Sequence, residues 1–106
     1  MEGHVVVIGT LDTKGEEVAY LRQRILEYGR SVIVIDVGTL DPATIEADIS
    51  RVQVAEAAGS SMNELGQKRD RRLSIETMIT GATRIVHKLQ SDGKIAGIVS
   101  VGGGTG

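Results

Sequence analysis

The chain has 106 residues, with one proline, fourteen glycines, no cysteine, no tryptophan and no phenylalanine, which describes at most one soluble domain and excludes disulfides and cysteine-ligated zinc. Twelve Lys and Arg stand against fourteen Asp and Glu, a net charge of -2 with no long basic run, so nothing signals binding to nucleic acid. No apolar run approaches the ~20 residues of a membrane helix, and the first eight residues lack a secretion signal, so a cytoplasmic protein that avoids membranes is the expectation.

In chain order, His4 to Ile8 (HVVVI) reads as a strand buried on both faces, being short, Val/Ile-rich and uninterrupted. A helix follows. Thr13-Lys14-Gly15-Glu16 fits a capping box at its start, Val18, Leu21, Ile25 and Tyr28 share one face, and Gly29 suits the left-handed residue that closes it. Ser31 to Ile35 (SVIVI) is the second buried strand.

Val37 to Arg72 exceeds an ordinary connection of ~2 to 6 residues and must hold structure of its own. Asp41-Pro42 reads as a turn or the start of a short helical turn, and Ser50 to Gln53 is a second candidate capping box for a two-turn helix ending at Gly59. Ser60 to Arg72 has weak periodicity and reads as a mobile surface loop, whose cluster Lys68, Arg69, Arg71 and Arg72 is a solvated face that could reach over a ligand. A long helix is written from about Leu73 to Gln90, with Ile75, Met78, Ile79, Ala82, Ile85, Val86 and Leu89 as its apolar stripe. Gly81 inside it costs ~1 kcal/mol relative to Ala, which points to close packing there. Ile95 to Val101 (IAGIVSV) is the third buried strand.

This order calls for an α/β fold, a three-layer open parallel sheet like half a Rossmann fold, with strand order 2-1-3. Where the winding reverses, ligands of open α/β sheets bind outside the carboxyl ends of the strands. Three loops leave those ends. The first, Gly9-Thr10-Leu11-Asp12-Thr13-Lys14-Gly15, opens a helix and favours an anion, yet it fits neither the dinucleotide G-x-G-x-x-G nor the P-loop pattern. The second starts Asp36-Val37-Gly38-Thr39, with a carboxylate where a ribose contact often sits. The third is Gly102-Gly103-Gly104-Thr105-Gly106, whose bare amides suit a phosphate. The chain stops before a helix that would complete such a site, so it reads as a fragment of a longer protein. His4 and His87 have no patterned partners and read as structural or surface residues. Spacing names no catalytic nucleophile with its base.

The segments VVVIGTLDTKGEEVAYL, IVIDVGT, ADISRVQVAEAAG and GIVSVGGGTG, in that order, resemble the amino-terminal domain of the Tm-1-like ATP-binding family, named for a plant protein of tomato mosaic virus resistance. The most specific element is G-T-x-D-T-K-G at Gly9 to Gly15; the third loop departs from the family's G-G-x-G-G-T, with Thr105 where glycine is commoner. The resemblance implies ATP binding within a larger two-domain protein. Phosphates would then lie against the amides of Gly102, Gly103, Gly104, Thr105 and Gly106 and of Thr13, Lys14 and Gly15. Thr10 and Thr13 would offer hydroxyls, Lys14 a charge and Asp12 a magnesium-side contact, with Asp36 or Thr39 near the ribose. Two other readings of the same loops stay open: a metabolic enzyme acting on a phosphorylated or carboxylated small molecule, and a nucleotide-gated interaction module. The third strand, very apolar and at a sheet edge, invites pairing with another copy, so a homo-oligomer is expected.

Overall fold

The computed structural model describes residues 3–102. β1 (His4–Gly9), β2 (Val32–Asp36) and β3 (Ile95–Val101) form a parallel sheet in the order β2-β1-β3, so the first strand is central as its position in the winding requires. Val6 pairs with Ile33 on one side and Ile98 on the other, and Gly9 with Asp36 and Val101. The register slips once, between His4 and Val5, where Ala96 has no opposite number.

Among the described residues four helices cover the sheet: α1 (Gly15–Glu27), α2 (Arg51–Ala57), α3 (Met62–Lys68) and α4 (Arg71–Ser91). Alternation along the strands divides the core into two. On one face Val7 and Val34 are buried with Leu11 and Val18, and Leu21 and Ile25 of α1 pack against them. On the other, Val6 and Ile35 meet Val54, Ala55, Leu65, Met78 and Ala82 of α2, α3 and α4. Helices on both faces of a parallel sheet make the three-layer α/β architecture. No described helix is long and apolar enough to cross a membrane.

Three local expectations meet different outcomes. The capping box at Ser50 forms: its hydroxyl accepts from the Gln53 amide at 3.2 Å, while Gln53 Oε1 accepts from the Ser50 amide at 2.9 Å. The one at Thr13 does not form. Helix α1 starts one residue later, at Gly15, with Lys14 as its uncapped N-cap, because the Thr13 hydroxyl is engaged by Thr10 Oγ1 at 2.7 Å. Most of residues 60–72 is helical rather than a loop, with 62–68 in α3 and 71–72 opening α4. Ser61 Oγ accepts from the Glu64 amide at 3.0 Å, Leu65 buries beneath α3, Arg69 turns the chain at φ +50°, and Asp70 Oδ1 caps α4 through the Leu73 amide at 3.0 Å. A two-turn helix with one buried anchor is too short to show a period.

Gly81 is the seat of α4 on α2. A Cβ there would overlap the carbonyl oxygen of Val54, so the close packing expected of this glycine is present. Arg84 fastens the same contact, donating from Nη1 to the Ala57 carbonyl at 2.9 Å.

Candidate functional site

The exits of β1 and β2 are locked together by two carboxylates. Asp36, 2% exposed, accepts through one oxygen, Oδ1, from the Leu11 amide at 3.1 Å and the Gly38 amide at 2.8 Å. Asp12 works in the opposite direction: its Oδ2 accepts from the amides of Leu40 and Asp41 at 3.0 and 3.1 Å. Each side chain thereby holds the other strand's loop. Thr44 adds a third tie, its amide and hydroxyl both donating to the Leu11 carbonyl, at 3.0 and 2.8 Å. The side chain of Leu11 fills the α1-side core beneath.

Asp12 Oδ1 is buried and has no hydrogen-bond partner among the described residues. It lies against Gly38, where a Cβ would come within 2.8 Å of it and 3.0 Å of Asp36 Oδ1. Glycine at 38 is thus what lets two carboxylates flank one turn. A buried carboxylate oxygen without a donor is costly and points to a group supplied from outside.

The rim of the sheet opens on a groove of about 840 Å³, bounded on the far side by α4. Gly9, Thr10, Asp12 and Thr13 line it from the first exit, Thr39 from the second and Gly102 from the third. The structure therefore brings the described part of all three predicted loops to one place. Lys14, Gly15 and Asp36 are not among the lining residues. Lys14 is paired with Glu17 at 3.5 Å, Gly15 lets Thr44 pack against the start of α1, and Asp36 is the buried clasp described above. Gly103, Gly104, Thr105 and Gly106 lie outside the described residues.

Two groups enter the groove that the loops alone do not indicate. Arg71, in the first turn of α4, lines it and makes no ion pair among the described residues. The basic run at 68–72 is its signal, and the cap at Asp70 sets Arg71 at the first position of α4, beside the rim. His87 lines the groove further along α4, beside Thr83 and Val86; nothing in the sequence pattern marks it. His4, by contrast, bonds through Nδ1 to Ser31 Oγ at 2.6 Å, a structural role at the foot of the sheet.

The wall also divides by chemistry. Near the strand exits it is hydroxyls, carboxylate, bare backbone and Arg71. Along α4 the turns after Arg71 present Ile75 and Ile79, and Thr83, Val86, His87 and Gln90 follow further on. A polar end and an apolar flank of one groove suit different occupants.

Residues 3–106 match the family described as "Uncharacterised protein family (UPF0261) N-terminal domain". Among curated relatives, a UPF0261 protein of Clostridium tetani is 40% identical over 106 residues, all of this chain and 26% of that protein. A UPF0261 protein of Brucella suis is 34% identical over 102 residues, and one of Mesorhizobium japonicum 37% over 102, each alignment taking in 96% of this chain. The chain spans about a quarter of the length of these relatives. No solved structure matches it. By this match over nearly its whole length, the chain belongs to the UPF0261 family, in the region of that family's N-terminal domain.

Proposed function

We propose that the chain is the nucleotide-binding part of a larger protein and that it holds the phosphates of ATP at the polar end of the groove. The observation that carries this reading is the convergence of Thr10, Thr13, Thr39, Gly102 and Arg71 on one rim of a parallel sheet. Hydroxyls, bare backbone and a guanidinium with no ion pair among the described residues form a donor set for a polyanion. Its place at the reversal of winding is where such ligands bind. The resemblance of Gly9 to Gly15 to the Tm-1-like motif is what favours ATP among nucleotides in this reading.

In this reading the charge comes from Arg71, since Lys14 is engaged by Glu17 and lies off the groove. Asp36 serves by positioning, because it fixes the Leu11 amide and so the turn that presents Thr10 and Thr13. Thr39 is the second exit's contact to the ribose. Asp12 Oδ1 offers an oxygen to a magnesium ion carried by the phosphates, as magnesium is often held by one or two carboxylates together with substrate phosphates.

The test is calorimetric titration of ATP into a protein carrying this chain and the region that follows it in the relatives. Arg71→Ala should weaken binding by ~10-fold or more, the scale of one charge-assisted hydrogen bond of ~1.5–3 kcal/mol. Lys14→Ala should leave affinity within about 2-fold, as expected for an exposed surface pair. Equal losses in both variants, or none in Arg71→Ala, would reject this placement.

A further inference from the structure

The outer edge of β3 and the apolar flank of α4 are open in a way the rest of the domain is not. Ile98 is 50% exposed and Val99 37%, on opposite faces of the strand. On α4, Ile75 and Ile79 are 42% and 60% exposed, one turn apart on the side that lines the groove. The stripe of α4 that faces the core is a different one, with Met78 and Ala82 buried. Ile98 at the sheet edge and Ile75 and Ile79 on α4 are thus exposed aliphatic side chains on one side of the sheet, with Val99 exposed on the other, the kind of unpartnered surface that marks an interface.

Connection geometry says what shape would cover it. The step from β1 to β2 carries α1 on one face, and the step back across the sheet from β2 to β3 carries α2, α3 and α4 on the other. Parallel connections are right-handed in about 98% of cases, so a step beyond β3 in that same direction must put its helix on the α4 face. Ile98 pairs with Val6, a residue of the α4-side core, and so presents its side chain to that face. A helix entering there would cover Ile98 and meet Ile75 and Ile79 at once, and the strand after it would close the edge of β3.

We propose that this surface is the seat of the polypeptide that follows the region in its longer relatives, a helix laid beside α4 and a parallel strand added to β3. The relatives supply the occupant, since this chain covers only 26% of the Clostridium tetani protein and the match takes in its last residue. The fold supplies the place, since the chain leaves β3 at Gly102 on the rim of the same groove. The seat does not depend on the nucleotide reading: it occupies the apolar flank, and the polar end stays open beside it.

Thiol labelling tests it in a protein that carries this chain together with the downstream region. Single substitutions Ile79→Cys and Ile98→Cys probe the seat, and Tyr20→Cys, at a position 69% exposed on α1, reports an uncovered site. Labelling is followed peptide by peptide by mass spectrometry. The expected result is labelling at 79 and 98 slower by ~100-fold or more than at 20, the scale on which burial protects a group that is reached only by local opening, and unchanged on dilution. Rates within a few-fold of Tyr20→Cys would overturn the proposal. Protection lost on dilution would assign the seat to a second copy and overturn it equally. Hydrogen exchange of the β3 amides in the unsubstituted protein decides the same question without any variant: slow exchange along both edges of β3 supports the added strand, and rapid exchange on the outer edge refutes it.

Discussion

The two outer edges of the sheet belong to strands of nearly the same composition and yet are finished differently. At β2 the edge is closed without a strand. The Val34 amide donates to Asp48 Oδ2 at 2.7 Å, the Asp36 amide to the Ile49 carbonyl at 3.0 Å, and the Val34 carbonyl accepts from the amides of Asp48 and Ile49, both at 3.0 Å. One isolated parallel bridge, Ile35 to Ile49, completes it. At β3 no described residue bonds to the outer side, and Ile98, Val99 and Ser100 are exposed. Burial of an apolar strand is thus set by what the chain lays beside it, and a carboxylate in an extended segment can finish an edge as well as a strand can.

Three substitutions sharpen this contrast on the covered side. The largest effect is expected from Ile35→Ala, which empties a site with no exposure between the sheet and α2. Core truncations of this kind lose about 2–5 kcal/mol, so thermal unfolding should fall by more than about 10 °C in a domain of this size. A loss under about 1 kcal/mol would mean that the α2-side core is not formed. Gly81→Ala comes next. Alanine is the better helix former by ~1 kcal/mol, yet its methyl would overlap the Val54 carbonyl and push α4 off α2, a net loss of about 1–3 kcal/mol. Stabilisation by this variant would show that α4 does not sit this close to α2. Asp48→Ala should follow at about 1–3 kcal/mol, because it leaves the Val34 amide facing a lost acceptor, and Asp48→Asn, which keeps an oxygen there, should recover most of it.

Much of the covered side is legible in the sequence because its signals are local. Three Val/Ile runs, a capping box at Ser50 and glycines at 29 and 59 with positive φ fix elements over a few residues each. The order 2-1-3 follows from handedness applied to those elements. Legibility fails where two local signals compete or where a partner is distant. Thr13 and Glu16 match a helix cap, but the Thr10 hydroxyl lies close enough to engage Thr13 first. Ser61 and Glu64 also match a cap start, and the basic run after them masks it. At the site, the convergence of the three exits is legible, whereas the sorting of their side chains is not. Asp36 and Asp12 can be placed at strand exits from the sequence but not seen to clasp amides 25 to 29 residues away, and Arg71 can be seen in a cluster but not turned to the rim.

The smallest effect on stability is expected on the open side, and it breaks or confirms the comparison most directly. Ile98→Lys replaces a half-exposed side chain, so unfolding of the 106-residue chain should change by no more than about 0.5 kcal/mol, within the range of ordinary surface substitutions. Its consequence should appear in association instead. An apolar edge with unpaired amides and carbonyls pairs with another copy, and a lysine on such an edge is a common obstacle to that pairing. Light scattering across a wide concentration range should therefore show the unsubstituted chain growing in mass while Ile98→Lys stays closer to the monomer. If Ile98→Lys instead lowered thermal stability as far as Ile35→Ala, β3 would be covered like β2, and the asymmetry between the two edges would not exist.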